Sequence, residues 1–140
     1  MAYYPKSKTD KWATPPELKT EIYKKYNLSF DPCPIDWKPS DPDGLAIDWL
    51  DGTFVNPPYS NTKLWIKKAS EEHAKNKRIV MLINCITDTK AFHQYIYNKP
   101  NVDLVFLPGR ISFINPEKPE ERRPNVKPSM LVIFKNFSSA

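Results

Sequence analysis

Residues 53–65 read TFVNPPYSNTKLW. A short β-branched and aromatic run, Thr53-Phe54-Val55, leads into Asn56-Pro57-Pro58-Tyr59, and a helical pattern follows. Proline has no N–H to give a sheet ladder, so the strand has to stop at Asn56. Beyond it, Leu64, Trp65, Ile66 and Ala69 are apolar while Lys67, Lys68 and the stretch EEHAKNK supply a wet side, which predicts a helix over 61–76. RIVMLINC, 78–85, is then a continuous apolar run bounded by polar residues, the pattern of a strand buried on both faces. Strand, helix and buried strand in succession make the repeating unit of an α/β sheet.

Working outward, TPPELKTEIYKKY predicts a helix over 15–26. Thr14 is its candidate N-cap, prolines occupy the first turn, and Leu18, Ile22 and Tyr26 recur every four residues. LSF, 28–30, reads as a short strand broken by Pro32 and Pro34, LAIDWL as a second, and GTFVN as a third after the Asp51-Gly52 turn. DTKAFHQYIYN predicts another helix. VDLVFLPGRISFI and SMLVIFKNF read as two late strands, antiparallel neighbours at the sheet edge, joined by a charged, proline-containing loop. The expected fold is a compact α/β domain: a mostly parallel central sheet flanked by helices, ending in an antiparallel strand pair. Ligands of such sheets bind beyond the carboxyl ends of the strands. Asp31 and Asn56 follow predicted strands and share that edge, and Asp48 lies near the end of the LAIDWL strand.

The 140 residues suit a single domain, 1–140, and no apolar run approaches the roughly 18 to 20 residues of a membrane span. The N-terminus lacks the apolar centre of a secretory signal, so a cytoplasmic location is expected. Cys33 and Cys85 offer neither a disulfide framework nor zinc spacing. A net charge of +5 favours a polyanionic partner. Fifteen prolines against three glycines cluster in 31–43 and 116–128 and mark loops. Residues 1–11 read as a flexible arm whose Lys6, Lys8 and Lys11 add non-specific affinity, and 115–128 as a mobile loop.

Asn56-Pro57-Pro58-Tyr59 suits one kind of chemistry. The amino group of adenine or cytosine is a weak nucleophile because its lone pair is delocalised into the ring. Two hydrogen-bond acceptors on its N–H groups favour a more pyramidal nitrogen with the lone pair aimed outward. Asn56 supplies a side-chain carbonyl and Pro57 a backbone carbonyl. The prolines fix the backbone and remove competing donors. Tyr59 offers a face on which an extruded base can stack, worth about 1–3 kcal/mol. Reaching an exocyclic amine in a duplex requires flipping the nucleotide out.

The chain resembles the small phage-type DNA adenine-N6 methyltransferases, which depend on S-adenosylmethionine and carry a D/N/S-P-P-Y/F/W signature. The similarity runs through DKWATPPELKTEIYKKYNLSFDPCP, GLAIDWLDGTFVNPPYSNTKLWIKKA, DTKAFHQYI, FLPGRISF and PSMLVIF. It implies a Rossmann-like class I methyltransferase fold, with Asn56, Pro57, Pro58 and Tyr59 as the catalytic tetrad. It implies further that Trp12, Thr14 and Pro15 contact the methionine part of the cofactor, that Asp31 and Pro32 sit beside it, and that Asp48 meets its adenine or ribose. A plain helix cap remains the alternative for Thr14, compatible with the first role, and a solvated turn residue the alternative for Asp48. The family's first motif normally runs into glycines; here none appears until Gly44, and Asp36, Asp41 and Asp43 compete for the ribose.

Among the remaining features, Arg110 after Pro108-Gly109 is a candidate phosphate contact or a structural ion pair. Arg122, Arg123 and Lys127 in the 115–128 segment are candidate DNA contacts. Cys33, in Pro-Cys-Pro, lacks the rest of the pattern that a cytosine-C5 nucleophile needs. His73 and His93 are expected at the surface. Neither a metal nor a general base is demanded, because the methylated ammonium loses its proton readily. The alternatives to adenine N6 are cytosine N4, RNA adenine, a protein glutamine N5, or a non-catalytic nucleic-acid-binding module on the same fold.

Overall fold

A computed structural model describes residues 12–137. The 1–11 arm lies outside the described residues. Helix α1, Pro16–Tyr26, starts behind Pro15 with no side-chain cap, and Asn27 closes it in the left-handed region at φ 54°. Asparagine tolerates that conformation at a helix end. The N-cap expected of Thr14 is therefore absent, and the threonine is engaged elsewhere.

Strand β1 is Thr53–Val55. A single 3-10 turn, Tyr59–Asn61, leads into helix α2, Thr62–His73. Strand β2 is Ile79–Asn84 and helix α3 is Lys90–Tyr95, the latter capped by the Thr89 hydroxyl, which accepts from the Phe92 N–H at 3.2 Å. Strands β3, Val102–Phe106, and β4, Ser112–Asn115, are separated at Pro108-Gly109, where Gly109 adopts φ 74°. Strand β5 is Lys118–Pro124 and β6 is Ser129–Phe134.

The main sheet has the order β1-β2-β6-β3, and β4 and β5 form a separate antiparallel pair. Only β1 and β2 pair in parallel; β6 is antiparallel to both β2 and β3. The sheet is thus mixed, which corrects the mostly parallel arrangement expected. The late strands do pair antiparallel with β3 at the edge, but β6 is central and buried along its whole length. Residues 28–30 contribute only an isolated parallel bridge, Phe30 to Thr53. LAIDWL forms no strand, and residues 118–124, expected in a loop, form β5.

Alternation in β2 explains its continuous apolar run. Ile79, Met81 and Ile83 pack with Trp49, Trp65 and Phe92 on the side of α2 and α3. Val80 and Leu82 pack with Ile22, Phe54 and Phe113 on the side of α1. Each face of the strand feeds its own core, the arrangement a helix-covered sheet requires.

The segment joining Phe30 to β1 is held by side chains instead of a ladder. The Trp49 indole N–H donates to Gly44 O at 2.7 Å and its backbone N–H to the Glu72 carboxylate at 2.6 Å. A Cβ at Gly44 would stand 2.1 Å from Pro32 O, so only glycine allows this close passage. Glu72 is fully buried in α2 and also receives Lys68, Lys75 and Lys77 at 2.8–3.2 Å. His73 is buried as well, against Phe134 and Phe137, with Nε2 2.8 Å from Lys135 O; the surface position expected for it is corrected. His93 is exposed. Among the described residues no helix is long and apolar enough to cross a membrane.

Candidate active site

Asn56 stands directly beyond β1. Phe54 and Leu82 belong to the α1-side core, so strand alternation turns Asn56 to that same face. Its amide N–H groups donate to Trp12 O at 3.2 Å and to Thr14 Oγ1 at 3.0 Å. The acceptors are held in place by the backbone between them: Ala13 N–H donates to Ile114 O at 2.9 Å and Ile114 N–H to Ala13 O at 3.0 Å. Three distant segments therefore meet at one amide. With both donors consumed, Oδ1 is left, and no described residue donates to it.

Pro57 and Pro58 are buried, and no described donor reaches the Pro57 carbonyl. Pro58 O accepts from Asn61 N–H and from the Thr62 hydroxyl, which seats the 3-10 turn on the start of α2. Tyr59 opens that turn, 44% exposed, and partial burial pushes its phenol above its usual pKa. The ring is thus part covered by protein and lines a cavity together with Asn56.

Asn56 is a wall shared by two cavities. The larger, about 330 Å³, is lined by Asn56, Pro57, Tyr59, Asn84, Phe113 and Lys127 among others. The second, about 260 Å³, is lined by Trp12, Thr14, Lys19, Asp31, Phe54 and Asn56 among others. In it the Asp31 carboxylate accepts from Cys33 N–H at 2.9 Å and faces Lys19 Nζ at 3.4 Å. The negative charge of Asp31 also helps burial raise the Tyr23 phenol far above its usual value. One acidic and one basic group thus face a small space beside an aromatic floor.

The other predicted residues distribute unevenly. Pro15 and Pro32 are buried and line neither cavity. Asp48 is away from both: its side chain is 80% exposed and pairs with Lys75 at 3.0 Å, whose hydrogen bond holds its carboxyl below the usual value. Lys127 reaches the larger cavity, whereas Arg110 is exposed outside it. Arg122 pairs with Glu17 at 2.6 Å, and Arg123 pairs with Glu121 at 3.0 Å and lies over the Trp12 ring. All four basic residues lie on or beside the β4–β5 hairpin. Asn84 and Phe113, which line the larger cavity, were not singled out by sequence. Asn84 carries the same signal as Asn56, a polar residue closing a buried strand at its carboxyl end.

Comparison with known proteins shows the family of the chain. The model of the family described as "DNA N-6-adenine-methyltransferase (Dam)" matches residues 2–140. The chain is 34% identical over 140 residues to the DNA N-6-adenine-methyltransferase of Haemophilus phage HP1 (strain HP1c1), covering 92% of this chain and 80% of that protein. The chain belongs to the DNA N-6-adenine-methyltransferase (Dam) family.

Proposed function

We propose that the larger cavity takes an adenine flipped out of DNA and the smaller one the amino-acid end of S-adenosylmethionine, with the methyl group passing to N6 beside Asn56. The observation that carries this reading is the position of Asn56 on the wall common to both cavities. The residues fit the cofactor by charge. An α-amino acid needs an acceptor for its ammonium and a donor for its carboxylate, and Asp31 and Lys19 offer one of each. When bound, the cofactor supplies an electrophilic methyl group.

The chain's own residues do the rest. Oδ1 of Asn56 and the Pro57 carbonyl accept hydrogen bonds from the two N6 hydrogens and hold the nitrogen lone pair toward the smaller cavity. Trp12 O and Thr14 Oγ1 fix the Asn56 amide so that an acceptor, and not a donor, faces the amine. Tyr59 stacks on the base. The nitrogen gains the methyl group as the donor's sulfur–methyl bond breaks with its electron pair left on sulfur, and it releases one proton to water. Arg110, Arg122, Arg123 and Lys127 contact backbone phosphates around the flipped nucleotide. The compressed segment after Asp31 contributes Cys33 and Ile35 to the smaller cavity, where the family's glycines would otherwise let the backbone approach. We read the mixed sheet as a shortened Rossmann-like methyltransferase sheet.

Mass spectrometry of nucleosides from DNA incubated with the protein and methyl-labelled S-adenosylmethionine tests this. The expected product is labelled N6-methyladenosine in its deoxy form. Label in N4-methylcytosine, label only in RNA or protein, or no label at all would overturn the proposal.

A further inference from the structure

The larger cavity holds a second asparagine whose amide polarity is set by the protein. Asn84 ends β2, and the alternation that gives Val80 and Leu82 to the α1-side core puts Asn84 on that face too, the face of Asn56. Both side chains line the same space.

Asn125 decides which end of the Asn84 amide is free. Its backbone N–H donates to Ile111 O at 2.8 Å, and its Oδ1 accepts from the backbone N–H of Lys127 at 3.3 Å. A backbone N–H is a donor in every assignment, so Asn125 Nδ2 must point the other way. There it donates to Asn84 Oδ1 at 2.6 Å, with Ser129 Oγ at 3.5 Å. The oxygen of Asn84 is thereby consumed, and its Nδ2 donates to no described residue. Asn56 has the opposite polarity: its nitrogen is consumed and its oxygen is left. The cavity thus presents one acceptor and one donor from the same sheet face.

We infer that Asn84 is a base-reading residue, donating from Nδ2 to a ring nitrogen that flanks the reactive amino group while Asn56 accepts from that group. Asn125 is the positioning residue that locks the donor outward. This rests on the base-pocket assignment above and adds to it how the base is told apart. Adenine places its N6 donor between the acceptors N1 and N7, matching the acceptor–donor pair. A keto base opposes acceptor to acceptor at Asn56 and, where Asn84 reads the N1 or N3 edge, N–H to N–H at Asn84 as well, leaving buried groups unpaired.

The test uses duplexes in which the mapped target adenine is replaced by its 1-deaza or 7-deaza analogue, each lacking one flanking nitrogen. The wild-type protein is expected to lose roughly 10- to 100-fold in kcat/KM on one analogue. Asn84→Ala is expected to lose a comparable factor on adenine and nothing further on that analogue. Asn125→Ala is expected to lose activity on adenine with part of the analogue penalty retained. Circular dichroism checks that the variants fold, and the isosteric Asn84→Asp, which keeps the volume and removes the donor, should behave as Asn84→Ala. Equal activity of the wild type on adenine and both analogues, or an undiminished analogue penalty in the Asn84 variants, would overturn the inference. Absence of methyl transfer to plain adenine would instead overturn the proposed function, so the two failures are distinguishable.

Discussion

Thr14 Oγ1 and Asn56 Nδ2 lie 3.0 Å apart, a hydrogen bond between a residue ahead of the first helix and one beyond the first strand. It selects the orientation of the amide on which the proposed chemistry depends. Replacing Thr14 with valine keeps the shape and removes the acceptor. We expect Thr14→Val to lower kcat/KM about tenfold with a stability change of about 1 kcal/mol, read by steady-state kinetics and thermal melting. Wild-type kcat in this variant would show that Trp12 O alone suffices to orient the amide.

Asn56→Ala removes the side-chain acceptor and leaves the fold intact, since the residue is only half-buried. The expected loss is about 10²–10³ in kcat, the size seen when one preorganised polar group is deleted from a reacting centre. Tyr59→Ala should lose about 1–3 kcal/mol of base stacking, and Tyr59→Phe should retain it. Full activity of Asn56→Ala would remove the residue from the reaction.

The basic residues of the hairpin predict a salt signature. Each phosphate contact adds about 0.9 to the slope of log K against log salt. Arg123→Ala and Lys127→Ala should each lower that slope by about one, measured by fluorescence anisotropy on duplex DNA at several salt concentrations. Arg122 is paired with Glu17 across an exposed, solvent-screened contact, so DNA can draw it away. Its alanine variant should show the same change in slope. An unchanged slope in all three would place the DNA on another surface.

Glu72 predicts the acid limb of stability. Burial alone would raise its carboxyl, but hydrogen bonds from Lys75, the Trp49 N–H, Lys77 and Lys68 outweigh it and bring the pKa from 4.5 down to about 2. A depressed carboxylate contributes fully above its unfolded pKa and loses that contribution as protons bind. Stability from this group is therefore complete above about pH 4.5 and falls away toward pH 2. Glu72→Gln should lose about 1–3 kcal/mol at neutral pH and show a shallower decline through that window in urea titrations. An equally steep decline in the variant would assign the acid limb to other carboxylates.

Local pattern carried the central unit of this chain into view and failed where tertiary contacts decide. The stretch from Thr53 to Asn84 is legible because each element has its own periodicity and the prolines punctuate it. LAIDWL alternates like a strand, yet Trp49 is buried by Gly44 and Glu72 and never meets a ladder. β5, written KPEERRP, carries charge and two prolines, and only its pairing with β4 makes it a strand. The antiparallel entry of β6 between β2 and β3 has no local signal at all, since an apolar run fits either direction. At the candidate site, Asn56 follows β1 and Asp31 follows the Phe30 bridge, and both line the smaller cavity. Asp48 was placed by chain order and turned out to pair with Lys75 in solvent. Asn84 closes a buried strand as Asn56 does, but the hydrogen bond that fixes its amide comes from Asn125, far along the chain and without a local signal.

The bridge between Ala13 and Ile114 gives the site a timetable. Asn56 is oriented by Trp12 and Thr14, whose backbone is in turn pinned by β4, so the first and last parts of the chain must meet before the amide is set. Contacts of such sequence separation form late, after the entropy of closing the loop has been overcome. A nascent chain that has not yet emerged through β4 holds Asn56 without its clamp. Methyl transfer should accordingly appear only after the sheet has closed, lagging the fluorescence change of the buried Trp49 and Trp65 in a refolding experiment. Activity that rises in step with that fluorescence would show that the amide is set early.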